Sequence, residues 1–195
     1  MLHPATELRF INSEIGYGVF ATEFIPHGTI TWVRDSLDQT FSPAEFIAMS
    51  AMSEVYHEQL TKYAYRDEVG DYVLCWDLGR FMNHSCNPSC LGYNLDLEMA
   101  VRDIAPGEEL TSDYSTFHLT NDEGFACSCS SLNCRNFVSH HDVQTQSDRW
   151  YYLMRQAFLL ADDVAQPLDR LMTPQQRQKA IQKLLLSQPL LISNH

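Results

Sequence analysis

The stretch FACSCSSLNCRNF at residues 125–137 sets Cys127, Cys129 and Cys134 in a C-x-C-x4-C spacing. Three thiols this close suit a tetrahedral Zn²⁺, which takes four ligands in structural sites and favours thiolates. A disulfide between Cys127 and Cys129 would be strained, whereas a metal accepts both from a tight turn. Three ligands leave one place to fill. The remaining thiols are Cys75, Cys86 and Cys90. Cys75 sits in the apolar VLCWD and reads as a small core residue. Cys86 lies in the polar, turn-like RFMNHSCNPSC at residues 80–90. A closed four-thiolate site from Cys86, Cys127, Cys129 and Cys134 is therefore expected, and Cys90 is left unassigned.

Taken alone, residues 80–90 also admit a catalytic His84/Cys86 pair or a disulfide-stapled loop. Disulfide frameworks belong to small secreted domains that cannot build a core. This chain has 195 residues, 45% of them hydrophobic, enough for one globular domain with a modest appendage. Its start, MLHPATELRF, lacks the basic region and apolar core of a secretory leader. An intracellular protein, cytoplasmic or nuclear, is expected, with leaderless export left open. No apolar run approaches the ~20 residues needed to cross a bilayer, so no membrane association is expected. The net charge is −12, and residues 1–138 hold 7 Lys and Arg against 20 Asp and Glu. Such a surface argues against direct nucleic-acid binding and favours a basic protein or peptide as partner.

The elements that must position these residues are mostly strands. Residues 7–34 read as short apolar segments broken by turns, with Pro26 and Gly28 punctuating a hairpin. SPAEFIAMSAMSEVYHEQL at 42–60 opens on a Ser42–Glu45 capping box with Pro43 at the first position, and its apolar spacing predicts one helix. Residues 63–77 read as a hairpin turning at 68–71, and 97–104 and 109–114 as further strands. The tail differs. Trp150, Leu153, Met154, Ala157, Phe158, Ala161 and Val164 share one helical face, and TPQQRQKAIQKLLLSQP opens on a Thr cap. Two helices from about 148 to 187 are expected to dock on the body, though they could equally serve homo-oligomerisation. The fold class is mainly β with inserted and C-terminal helices.

GYG at 16–18, RFMNHSCNPS at 80–89, GEELTSDY at 107–114 and C-x-C-x4-C-R at 127–135 occur in this order. Together they resemble the SET-domain protein lysine methyltransferases that carry a zinc-binding post-SET segment. The resemblance spans about residues 7 to 138. It implies a SET-domain fold of small sheets with a pseudoknot. It divides the chain into a catalytic domain at 7–122, a post-SET zinc segment at 123–138 and a helical extension at 139–195. It also implies one zinc on Cys86 and the three post-SET cysteines, which removes Cys86 as a nucleophile. S-adenosylmethionine would lie against Gly16, Tyr17 and Gly18 and be held by Asn83 and His84. Glycines permit close backbone approach, and Asn and His offer donors and acceptors to an adenine edge.

Methyl transfer from a sulfonium to lysine needs a neutral amine, although the free side chain has a pKa near ~10.4. The site must desolvate the amine and align it with the methyl group. By the resemblance, Tyr114 closes the E-L-x-x-D-Y motif and orients the amine. Tyr63, on the strand before the N-H-S-C segment, is the second aromatic at catalysis and cofactor, with Tyr65 as its alternate. Ser112 stands where the family often carries Phe or Tyr, which leaves room beside the amine and the methylation state open. Ser89 replaces a family Asn. Two functions compete: a protein-lysine methyltransferase acting on a basic substrate, and a zinc-stabilised binding module without turnover. Retention of Tyr114, Asn83 and His84 favours the enzyme.

Overall fold

The computed structural model describes residues 1–186. TELRFIN and GYGVFA form an antiparallel pair, β1 (Thr6–Asn12) and β2 (Gly16–Ala21), with Leu8 opposite Val19 and Phe10 opposite Tyr17. Pro26 and Gly28 do mark a turn, but the hairpin expected there does not form. The next strand, β3 (Ile30–Val33), is ITWV with all four residues buried, an apolar run that needs cover on both faces. It therefore leaves the first sheet and pairs elsewhere.

After β4 (Gln39–Phe41), the single helix expected over 42–60 is two helices. Ser42 and Glu45 cap α1 (Pro43–Ser50) reciprocally. The helix stops because a second cap follows at once: Ser53 Oγ accepts from Tyr56 N at 3.2 Å and starts α2 (Glu54–Tyr63). Tyr63, expected on a strand, is thus the last residue of α2. Tyr65 lies on β5 (Ala64–Arg66), which turns back into β6 (Tyr72–Leu74), and these two form a three-stranded sheet with β4 in the order β4-β6-β5.

The remaining strands are short. β7 (Asn83–His84), β8 (Cys90–Leu91), β9 (Leu97–Ala100) and β10 (Glu109–Ser112) complete two sheets, ordered β1-β2-β10-β7 and β3-β9-β8. The β10–β7 pair is parallel. A ribbon of β11 (Phe125–Ala126) and β12 (Phe137–Val138) brackets the three clustered thiols.

In the tail, α3 (Asp142–Leu160) begins before the expected 148, short 3-10 turns occupy 161–171, and α4 (Pro174–Ile181) follows the Thr173 cap. The expected helix end at 187 lies outside the described residues. Trp150, Met154 and Ala157, at three- and four-residue spacing, pack on Ile30, Leu91, Leu97 and Met99. The extension therefore docks on the body. A second cluster, with Val19, Ile25, Trp32, Ile104 and Leu110, fills the space between the sheets. Among the described residues no helix is long and apolar enough to cross a membrane.

Candidate active site and metal centre

Strand β10 assembles the site. It sets Thr111 opposite Asn83 and Ser112 opposite His84 on one side, and Glu109 opposite Phe20 on β2 on the other. Residues far apart in sequence thereby meet. Asn83 Nδ2 donates to Tyr17 O at 3.0 Å and to Glu109 Oε1 at 2.7 Å, tying the glycine strand to β7. Gly16 has φ +87°, a conformation that favours glycine. Gly18 is closely packed: a Cβ there would meet the side-chain ends of Glu109, Ile11 (Cδ1 at 2.7 Å) and Asn83 (Nδ2 at 3.0 Å), which would have to give way. Tyr17 stands edge-on to both Phe10 and Phe81, and Tyr63 edge-on to Phe81, so Gly16–Gly18 and Tyr63 border one aromatic surface.

A cavity of about 480 Å³ lies on the other side of β10, and Met82, Glu98, Ser112, Tyr114, Tyr63 and Tyr65 are among its lining residues. The 3-10 turn that follows β10 presents Tyr114, whose hydroxyl donates to Met82 O at 2.8 Å. Burial, with Glu98 and Glu109 nearby, pushes the Tyr114 hydroxyl well above its ordinary pKa, so it acts as a neutral donor. Burial does the same to Tyr65, which packs on Trp32 and Phe117. Both expected tyrosine positions and the alternate thus reach one chamber.

The imidazole of His84 faces the thiols. Its Nδ1 accepts from Tyr114 N at 3.1 Å, which places the ring proton of the neutral imidazole on Nε2, 3.3 Å from Cys86 Sγ. Burial holds the imidazole pKa down near 4, outweighing nearby Asp113, so the neutral form prevails at pH 7. His84, Cys86, Cys127 and Cys129 have their ligand atoms within 4.8 Å of one another. Cys86 and Cys127 sulfurs are 3.8 Å apart, the Cys86 amide points at Cys129 Sγ at 3.4 Å, and Cys134 Sγ lies 3.6 Å from Cys127 O. Arg135 donates to Cys86 Sγ from both its amide and its Nε at 3.4 Å. Burial opposes ionisation of Cys129, but hydrogen bonds from Ser131 and the Cys86 amide outweigh it and lower its pKa to about 6. The donor set fits Zn²⁺. Cys75 and Cys90 are buried and apart from this cluster, and burial pushes both thiols up, Cys90 to about 12.

Two residues of the site escaped the sequence reading. Asp113, fully buried, accepts from Arg135 at 2.6 Å and from Trp150 Nε1 at 3.1 Å. Glu98 lies on β9, where all four residues are buried. An acidic residue inside the apolar run LEMA was the available signal.

A fold of small sheets around a half-buried tyrosine, with a glycine turn and an Asn-His strand beside it, defines the class. The SET domain matches residues 16–115, just over half of the chain, and the chain belongs to the SET-domain family. The probable histone-lysine N-methyltransferase set-23 of Caenorhabditis briggsae is 31% identical over 146 residues, covering 66% of this chain and 58% of that protein. The histone-lysine N-methyltransferase ASHH2 of Arabidopsis thaliana is 30% identical over 155 residues, covering 72% of this chain and 9% of that protein. The crystal structure of the methyltransferase domain of human histone-lysine N-methyltransferase SETMAR has a TM-score of 0.49 at 23% identity, covering 71% of this chain and 58% of that one. The chain thus spans little more than half the length of the first relative and a small part of the second.

Proposed function

We propose that the chain is an S-adenosylmethionine-dependent protein-lysine methyltransferase acting on a basic protein. The observation that carries this is the chamber in which the Tyr114 hydroxyl meets the Met82 carbonyl. Membership in the SET family and the names of the relatives, both histone-lysine methyltransferases, support it. When bound, S-adenosylmethionine supplies a methyl group on a sulfonium for in-line displacement by an amine. Gly16, Tyr17, Gly18, Asn83 and Tyr63 form the surface that would receive it, with His84 fixing the adjoining strand. Tyr114 orients the amine through its hydroxyl, and Tyr63 and Tyr65 exclude water. The acidic surface, −12 overall, attracts Lys- and Arg-rich substrates, histone-like proteins included.

One zinc on Cys86, Cys127, Cys129 and Cys134 would fasten residues 123–138 to the body. His84 is the other candidate for the fourth place. Its Nε2–H, fixed by the Tyr114 amide on Nδ1, suits a donor to the Cys86 thiolate rather than a ligand, which leaves the place to Cys134. The test of function is incubation with labelled S-adenosylmethionine and a panel of basic proteins, followed by mass spectrometry of modified lysines. Tyr114→Phe should cut turnover by about 10²-fold or more while cofactor affinity changes little. Full activity in that variant, or no transfer by the wild type, would overturn the reading.

A further inference from the structure

The chamber contains an ionisable group that orienting an amine with a tyrosine does not require. Glu98 is 7% exposed, and its Oε1 accepts a hydrogen bond from Ser112 Oγ at 2.6 Å. Its Oε2 is buried and has no hydrogen-bond partner among the described residues. Of the other carboxylates on the cavity, Asp67, Glu68 and Asp96 are each paired with Arg34, Lys179 or Lys183, and Glu123 accepts from the Thr120 amide. Glu98 has no cation beside it among the described residues. Burying a carboxylate with one oxygen unsatisfied is costly, and a fold keeps such a group where something arrives to meet it. Gly92 lies against its stem, where a Cβ would fall 2.9 Å from Glu98 Cγ, although the nearer obstacle, and the one that requires glycine, is the Leu97 backbone carbonyl.

We propose that Glu98 receives the target amine: its Oε2 binds the incoming ammonium and takes the proton that the nitrogen must lose before methyl transfer. This inference rests on the methyltransferase reading for its second half only, since binding of a primary ammonium in the chamber stands without it. The balance is simple. One N–H bond of the ammonium breaks and its electron pair becomes the nitrogen lone pair. One O–H bond forms on Oε2, leaving a neutral carboxyl beside a neutral amine, and the proton passes later to water. Ser112 fixes the carboxyl by occupying Oε1, so Oε2 is the oxygen left unpaired, and an ammonium in the cavity reaches it only as the side chains closed over it give way. The role of Ser112 is thus positional.

The neighbouring titratable groups cannot substitute. Tyr65, Cys75, Cys90 and Tyr114 all lie within electrostatic reach of Glu98, and burial pushes each of them up, so all are neutral at pH 7. Burial likewise raises the Glu98 carboxyl to about 7, a value suited to exchanging a proton near neutrality.

Glu98→Gln keeps shape and the Ser112 contact but removes the base. Two readouts test it. The first is binding of n-butylammonium to the full chain, followed by NMR, with S-adenosylhomocysteine affinity as the control for a correctly folded site. Wild type should bind the probe, and the variant at least about tenfold more weakly, with S-adenosylhomocysteine unaffected. The second is methylation of a basic protein across pH. Turnover of the variant should fall at least about tenfold near neutral pH, and the deficit should narrow toward about pH 10, where solvent deprotonates the amine. Equal n-butylammonium affinity in the two proteins, or none in the wild type, overturns the inference even if lysines are methylated. A pH profile of the variant matching wild type overturns the proton-acceptor role. Failure of the wild type to methylate any protein overturns the methyltransferase reading instead, and the binding measurement then decides Glu98 by itself.

Discussion

Glu98 is buried at a cost to the fold, and that cost can be measured apart from any activity. Its carboxyl moves from 4.5 to about 7 because burial disfavours the charged form, with Ser112 compensating in part. In the window between these values the folded state holds more protons than the unfolded one. The contribution of Glu98 to stability is therefore lost as pH rises from about 4.5 to 7, reaching on the order of 3 kcal/mol above that window. Glu98→Gln should be more stable than wild type at pH 8 by about 1–3 kcal/mol, with the gap closing below pH 5. Urea unfolding of both proteins at the two pH values checks this, and a gap independent of pH would show that folding leaves the carboxyl pKa unshifted.

At the scale of elements, the ribbon of β11 and β12 is two residues per strand, too short to hold itself, and the zinc proposed on the thiols would supply the rest. Elemental analysis of purified, tag-free protein should give near-unit zinc. Cys129→Ser and Cys134→Ser should each lose it and speed amide exchange across 123–138, because metal binding is folding energy for such segments. His84→Ala should keep the metal, since its ring proton points at the Cys86 sulfur. Zinc lost from His84→Ala and kept by Cys134→Ser would reverse that assignment. Stoichiometric disulfides among the four thiols would remove the metal altogether.

For the whole molecule, Asp113 is the junction. It adjoins Tyr114 in sequence, accepts from Arg135 beside the thiol cluster, and accepts from Trp150 on α3. The turn that carries Tyr114, the segment that carries the clustered thiols and the C-terminal extension thus share one buried carboxylate, and a buried charge keeps its place only while its donors remain. Trp150 is also fully buried in the core that α3 completes. Trp150→Phe should cost about 1–3 kcal/mol for the lost indole donor, and Trp150→Ala about 3–5 kcal/mol for the cavity. Both should lower the urea midpoint, and Trp150→Phe should reduce turnover more than S-adenosylhomocysteine affinity. An unchanged midpoint in Trp150→Phe would show that Arg135 alone secures Asp113.

Local chemistry was legible in the sequence by itself. The thiol spacing, the Ser42 and Thr173 caps, the apolar face of Trp150, Met154 and Ala157, and the motif around Tyr114 are short-range patterns fixed by neighbours along the chain. The split at Ser53 was legible too, but apolar periodicity masked a cap that ends one helix and starts another. Only tertiary structure decided which strands pair. ITWV could pair with any strand, and the need to cover both its faces sent β3 to β9 instead of β2. Likewise the apolar run LEMA hints that Glu98 is buried but says nothing of what it meets there. Its meaning arises when β9, Gly92 and Ser112 enclose it in a cavity, because the cost of a charge depends on what surrounds it in space and not on what adjoins it in the chain.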